Sequence, residues 1–196
     1  MGQSAEDSAK ATEANLSNFT IDGHASRFTV QAFSTGLLSA LGHNPIFGIR
    51  DFNGEVQFDP EHLKAGNFKL AIKSASLSVI DDISDKDRRE IEEIMRRDVL
   101  ETAKYPEIAY QAGEISVNGL GGTLYSALLH GALDLHGVAG SVPIKAKIAV
   151  MGDMMRASGD FSVFQSDFNI KPVSVAGGAI KIKDELKCAF EIVARR

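Results

Sequence analysis

The sequence predicts a mainly β chain: an antiparallel eight-stranded barrel with one surface helix and a short helical turn near the barrel end. Three observations carry this reading. In "AIKIKDELKCAFEIVA", Ile180, Ile182, Leu186, Cys188, Phe190 and Ile192 fall on even positions, while Lys181, Lys183, Glu185, Lys187 and Glu191 fall on odd ones. A period of two puts the two sets on opposite faces of a strand, whereas a helical period would mix them. The same alternation returns along the chain in segments separated by Gly-containing turn signals, which is the order of a meander. Half-polar antiparallel strands leave one face wet, and closure into a barrel removes their exposed edges. Finally, one long segment breaks the alternation, being charged throughout with a thin apolar stripe.

Taken in order, the first eighteen residues, "MGQSAEDSAKATEANLSN", are small, polar and weakly acidic. They predict a flexible tail over 1–18 and a folded domain over 19–196. They hold no apolar stretch of the kind a signal peptide needs, and Glu6 breaks the myristoylation pattern. As it stands the sequence predicts a cytoplasmic protein; a leader already removed would make it periplasmic or secreted. Phe28, Val30 and Ala32 then alternate with Arg27, Thr29 and Gln31, which predicts a strand. "GLLSALG" interrupts it at 36–42, with Leu37, Leu38 and Leu41 at helical spacing and His43, Asn44 and Pro45 following. Two readings stand here. The turn is either the rim of an interior tunnel, polar at His43 where a head group emerges, or a plug whose His43 caps backbone carbonyls.

Further strands are predicted where Phe52, Val56 and Phe58 alternate with Asn53, Glu55 and Gln57, and where Phe68, Leu70 and Ile72 alternate with Lys69 and Lys73. "DDISDKDRREIEEIMRRDVLETAKYPEI" predicts the helix, with Ile83, Ile91, Ile94 and Met95 as its stripe. Ser84 and Asp87 have the spacing of a capping pair, and Pro106 ends anything helical. The helix either crosses the surface between two strands or lids one barrel end. Strands follow over 108–117, with a phase change at Gly113, then over 123–135, 142–150 and 154–164, with a short one over 167–173. In the last strand Asp184 is the break, expected at a barrel end or a bulge. Turns are predicted at Asp22-Gly23, Asn118-Gly119, Gly121-Gly122, Gly152-Asp153 and Gly177-Gly178.

Composition narrows the function. The 196 residues are 44% hydrophobic and 24% charged, enough to bury a core without staples. Net charge is −5 with Lys and Arg scattered, which argues against a nucleic-acid surface. No apolar run approaches the ~20 residues of a membrane span. Cys188 is the single cysteine, so no internal disulfide forms. His24, His43, His62, His130 and His136 show no metal-ligand spacing. No nucleophile or phosphate-loop motif is present, and Cys188 falls on an apolar strand face, where a thiol is inert packing. The residues therefore predict neither catalysis nor a metal.

Several segments together resemble the YceI-like family of lipid-binding β-barrels. They are "FTIDGHASRFTVQAF", "DFNGEVQFDPEHLKAGNFKLAIKSASL", "RRDVLETAKYPEIAYQAGEI", "HGALDLHGVAGSVPIKAKI" and "FSVFQSDFNI", in that order, from Phe19 to Ala194. The chain departs from the family pattern at Gln165, where Arg is usual, and at Asn169, where Gly is usual; the first departure weakens any carry-over of a charged head-group contact. No secretory leader is visible. The resemblance implies a lipocalin-like barrel whose tunnel holds a polyisoprenoid or related fatty chain, with no other cofactor. Candidate lipid contacts in the N-terminal part are Phe28, Val30, Leu37, Leu38, Leu41 and Phe47. Phe52, Val56, Leu70, Met95 and Tyr110 follow, then Leu128, Ile148, Phe161, Phe168 and Phe190. His43, Asp167 and Asn169 are the candidate head-group contacts. The partner implied is a hydrophobic small molecule, bound for sequestration or transport; a homodimer is compatible with the sequence. The same apolar positions equally suit a solidly packed barrel serving as a stress-response or protein-interaction domain, and an enzyme acting on a lipid is a third reading.

Overall fold

The computed structural model describes residues 16–35, 44–59, 61–175 and 180–196. Eight long strands form the barrel, and three of them are bent into two halves. β1 (Ser17–Ile21) and β2 (Arg27–Gln31) make the first. After the short β3 (Ser34–Thr35), β4 (Ile46–Ile49) and β5 (Phe52–Asp59) make the second. β6 (Lys64–Lys73) and β7 (Leu77–Val79) make the third. The straight strands are β8 (Glu107–Gly121), β9 (Leu124–Leu135), β10 (Val138–Met151) and β11 (Met154–Phe164). Two short strands, β12 (Ser174–Val175) and β13 (Ile180–Ile182), precede the last long one, β14 (Glu185–Arg195). Each long strand pairs antiparallel with its neighbours in sequence, and β14 returns to the first strand, so the sheet has no free long edge. The closing registers are Ile21 with Ala194 and Phe28 with Phe190. β3, β12 and β13 form a separate three-stranded sheet.

Local chemistry explains the bends and turns. At the β1–β2 bend the Asp22 carboxylate accepts from the backbone N–H of His24 (3.1 Å) and Ala25 (3.2 Å), the local closure that Asp favours at turns. It also accepts from Arg195 Nε at 3.2 Å, tying the bend to β14. Residues 136 and 137 join β9 to β10, with His136 at φ 55° and Gly137 at φ 73°. Two positive φ values match the twist of a two-residue hairpin, and glycine takes the second at no steric cost. Gly113 sits where the β8–β9 register slips between Ala112 and Glu114, as the phase change predicts.

The helix α1 (Asp85–Ile94) starts at Ser84, whose hydroxyl accepts from Asp87 N–H at 3.1 Å, and it continues as a π-helical turn over Met95–Val99. Its polar side is fastened to β7. Val79 N–H donates to Glu92 (2.9 Å), and the Arg88 guanidinium donates to the carbonyls of Val79 and Asp81. Its apolar side, Ile91, Ile94, Met95 and Val99, faces the barrel interior, so this helix is a lid on one end and not only a surface crossing.

Several expectations need correction. Asn118-Gly119 lies within β8, and the chain reverses one step later at Gly121-Gly122. Residues 167–173 form no strand: Gln165–Phe168 is a 3-10 turn ended by Asn169 at φ 57°. The alternating C-terminal run is two strands, β13 and β14. They part at Asp184, which accepts from Ser166 N–H (2.8 Å) and Oγ (2.6 Å) and so anchors the turn after β11. β1 begins at Ser17, just inside the expected tail. The helical turn expected at 36–42 and the turn at Gly177-Gly178 lie outside the described residues.

Candidate functional site

Protein interiors pack to crystal-like density with few voids larger than a water molecule. This barrel instead encloses a cavity of about 470 Å³. The reason lies in small residues at inward positions. Ala127 faces Ala146 across the β9–β10 ladder, and Ala157 faces Ile148 across β10–β11. Gly159 plays a different part: the space a Cβ would take there is already filled by the Lys145 carbonyl and, at 2.7 Å, the Phe190 ring. Where larger pairs would fill the centre, Ala127, Ala146 and Ala157 leave it open.

Among the described lining residues none is charged. The polar hydrogen-bonding groups belong to Thr29, Tyr110, Gln165 and Cys188. Thr29 alternates with the inward Phe28 and Val30 and also borders a groove on the outer surface. The Tyr110 hydroxyl is spent on the barrel, donating to the Val142 carbonyl at 2.9 Å. Its ring passes beneath Gly131, where a Cβ would collide with it. Burial pushes the Tyr110 hydroxyl up to about 12 and the Cys188 thiol likewise to about 12, so both stay neutral at physiological pH. The lumen therefore presents a nearly continuous hydrocarbon wall.

The two ends differ. The end formed by the β5–β6, β8–β9 and β10–β11 turns is shut by aromatics. Phe58 packs edge-on against Tyr125 with centroids 5.4 Å apart, and Phe19 is fully buried beneath the Arg196 guanidinium. The opposite end carries the lid helix, with Met95 and Leu100 buried against the cavity, and the small sheet, from which Ile182 reaches the lining. Gln165 stands at this end, 3% exposed, directly after β11.

The predicted contacts divide accordingly. Phe28, Val30, Phe47, Val56 and Leu70 line the cavity, as do Met95, Tyr110, Ile148, Phe161 and Phe190. Phe52 does not; it packs edge-on against the lining residue Phe28, with centroids 4.8 Å apart. Leu128 points outward, because β9 presents its odd positions, Ala127 and Leu129, to the lumen. Phe168 does not line the cavity either; it is buried against Gly140, its ring atoms 3.0 Å from where a Cβ would stand. Asp167 and Asn169 are exposed and away from the lining, since the 3-10 turn that carries them points them to solvent. Leu37, Leu38, Leu41 and His43 lie outside the described residues. Gln165, absent from the predicted contacts, does line the cavity. Its only mark in the sequence is that Gln replaces the usual Arg before "SDF".

Comparison with known proteins agrees with this architecture. The YceI-like domain model matches residues 19–194. A UPF0312 protein of Pseudomonas aeruginosa is 31% identical over 123 residues, 62% of this chain and 59% of that protein's length. Protein YceI of Escherichia coli O6:H1 is 28% identical over 149 residues, 71% of each. Among solved structures, a polyisoprenoid binding domain from Saccharophagus degradans superposes with a TM-score of 0.66 at 16% identity, covering 90% of this chain and 97% of that one. Burkholderia cenocepacia BcnA gives a TM-score of 0.63 at 20% identity, covering 88% and 98%. At such identities the structural likeness speaks for the fold alone, and it is the family-model match across nearly the whole barrel that makes this chain a member of the YceI-like family.

Proposed function

We propose that this chain binds one long isoprenoid or acyl chain inside the barrel and performs no chemistry on it. The observation that carries the reading is the uncharged, hydrocarbon-lined cavity of about 470 Å³, within the usual size range of small-molecule sites. Burial of the ligand supplies the affinity: each CH₂ taken out of water contributes about 0.8 kcal/mol. A long chain offsets the cost of association without a single polar contact. The polyisoprenoid-binding description of a structural neighbour supports the same ligand class, and that neighbour is described as a binding domain, not as an enzyme. Among the described residues no group of three His, Cys, Asp or Glu side chains converges on a metal position. A packed barrel acting through its outer surface fits the cavity poorly. Sequestration or carriage of a lipid is the role such a site serves. Titration of the delipidated protein with geranylgeraniol, followed by calorimetry, should saturate at one molecule per chain with a negative heat-capacity change. Absence of saturable binding by any long-chain lipid would sink the proposal.

A further inference from the structure

Gln165 is almost wholly buried, yet its side-chain amide makes one hydrogen bond to the described residues. Its Nε2 donates to the Lys183 carbonyl at 2.9 Å, which fixes the amide orientation. Its backbone is held on both sides: its N–H donates to the Asp184 carbonyl at 3.0 Å, and its own carbonyl accepts from Ile170 N–H at 3.0 Å. The Oε1 accepts from no described residue, and the side chain borders the cavity. Among the described residues the one fully buried side-chain polar atom without a partner is Arg96 Nε, so the Gln165 oxygen is not sealed in the protein and keeps access to the space beside it. No cation lines this cavity among the described residues, so none of these would neutralise a phosphate or carboxylate. The aromatic plug of Phe19 and Phe58 occupies the other end, which orients a ligand with its apolar tail there and its polar end at Gln165.

Building on the lipid-binding reading, we infer that Gln165 is a specificity-determining residue that accepts a hydrogen bond from an uncharged, donor-bearing head: the hydroxyl of a long-chain alcohol or the N–H of a primary amide. Charged heads of the same chain find no counter-ion among the described lining residues. The test uses geranylgeraniol, its methyl ether and its diphosphate on the delipidated full chain. The methyl ether keeps the chain and removes only the donor, so the wild-type protein needs no mutation to be informative. Geranylgeraniol should bind roughly three- to tenfold more tightly than the ether, the range of one neutral hydrogen bond. The diphosphate should bind no better than the ether. In Gln165→Met, a substitution of similar length, the alcohol and the ether should become equal. Equal affinities in the wild type, or tightest binding of the diphosphate, would overturn the inference while leaving lipid binding intact. So would a Gln165→Met variant that weakens both ligands alike and keeps their ratio, for Gln165 would then act only as an anchor of its turn. Failure of all three ligands to bind would overturn both this inference and the lipid reading beneath it.

Discussion

Filling the lumen should separate ligand binding from folding. Ala146 is buried, lines the cavity and faces Ala127 across the β9–β10 ladder. Ala146→Phe places about six additional carbons in the space a ligand would use; at about 0.8 kcal/mol for each, the ligand loses about 5 kcal/mol of burial. That is a weakening of more than a thousandfold, since about 1.4 kcal/mol is tenfold. The same carbons are buried in the ligand-free protein, where strain of about 1–3 kcal/mol offsets part of their gain. The delipidated variant should therefore be as stable as the wild type or more so. Calorimetric titration with geranylgeraniol reads the first quantity, and urea unfolding of delipidated protein reads the second. Unchanged affinity would refute the reasoning. So would intact binding with stability lowered by more than about 3 kcal/mol, because the new ring would then have been forced into a packed wall.

Other perturbations address the wall itself. Gly131→Ala puts a methyl into the Tyr110 ring, which its bond to Val142 holds in place, so stability should fall by about 2–4 kcal/mol. In a Tyr110→Leu background the same change should cost at least about 1 kcal/mol less, and equal costs in both backgrounds in a double-mutant cycle would dissolve the proposed contact. The Cys188 thiol, its acidity suppressed to about 12 by burial, should react with a charged disulfide reagent at pH 8 only as fast as the protein unfolds; rapid labelling of native protein would place Cys188 outside. Asp22 is held below the ordinary carboxylate range chiefly by its hydrogen bond from Arg195, with Ala25 N–H adding to it. A carboxylate with a depressed folded-state pKa stabilises above its unfolded value near 3.9, and that contribution disappears as pH falls through the folded value. Asp22→Asn should thus lower the urea midpoint at pH 7, and the gap to the wild type should close as the pH falls through the depressed folded-state value; a gap independent of pH would exclude the carboxylate as its source.

The long strands were legible because each carries several alternating positions. The predicted span of β11, residues 154–164, coincides with the strand, and the Gly113 phase change marks a real register slip. Short elements carry too few residues for a period to show. β7 has three residues, and β1, with five, makes a barrel strand only because β5 and β14 flank it. Asn118-Gly119 misleads because a turn dipeptide is equally tolerated within an exposed hairpin arm, while the positive φ values fall on Gly121 and Gly122. Parity located most of the lining but not its depth. Phe52 and Phe168 obey the apolar pattern yet pack against Phe28 and Gly140 without lining the cavity, and in β9 the apolar run "ALL" hides which leucine faces inward. That the barrel is hollow depends on Ala127, Ala146 and Ala157 meeting in neighbouring strands, a coincidence of register that no single segment displays.

The measurement that tests the central claim most directly is native mass spectrometry of the protein purified without detergent, with organic extraction of the same sample. The account predicts a mass excess corresponding to one lipid per chain, released as a prenyl or acyl species by the solvent and lost in Ala146→Phe. A chain that flies at its bare mass, takes up no geranylgeraniol when offered it, and gives the same result in the variant would contradict it.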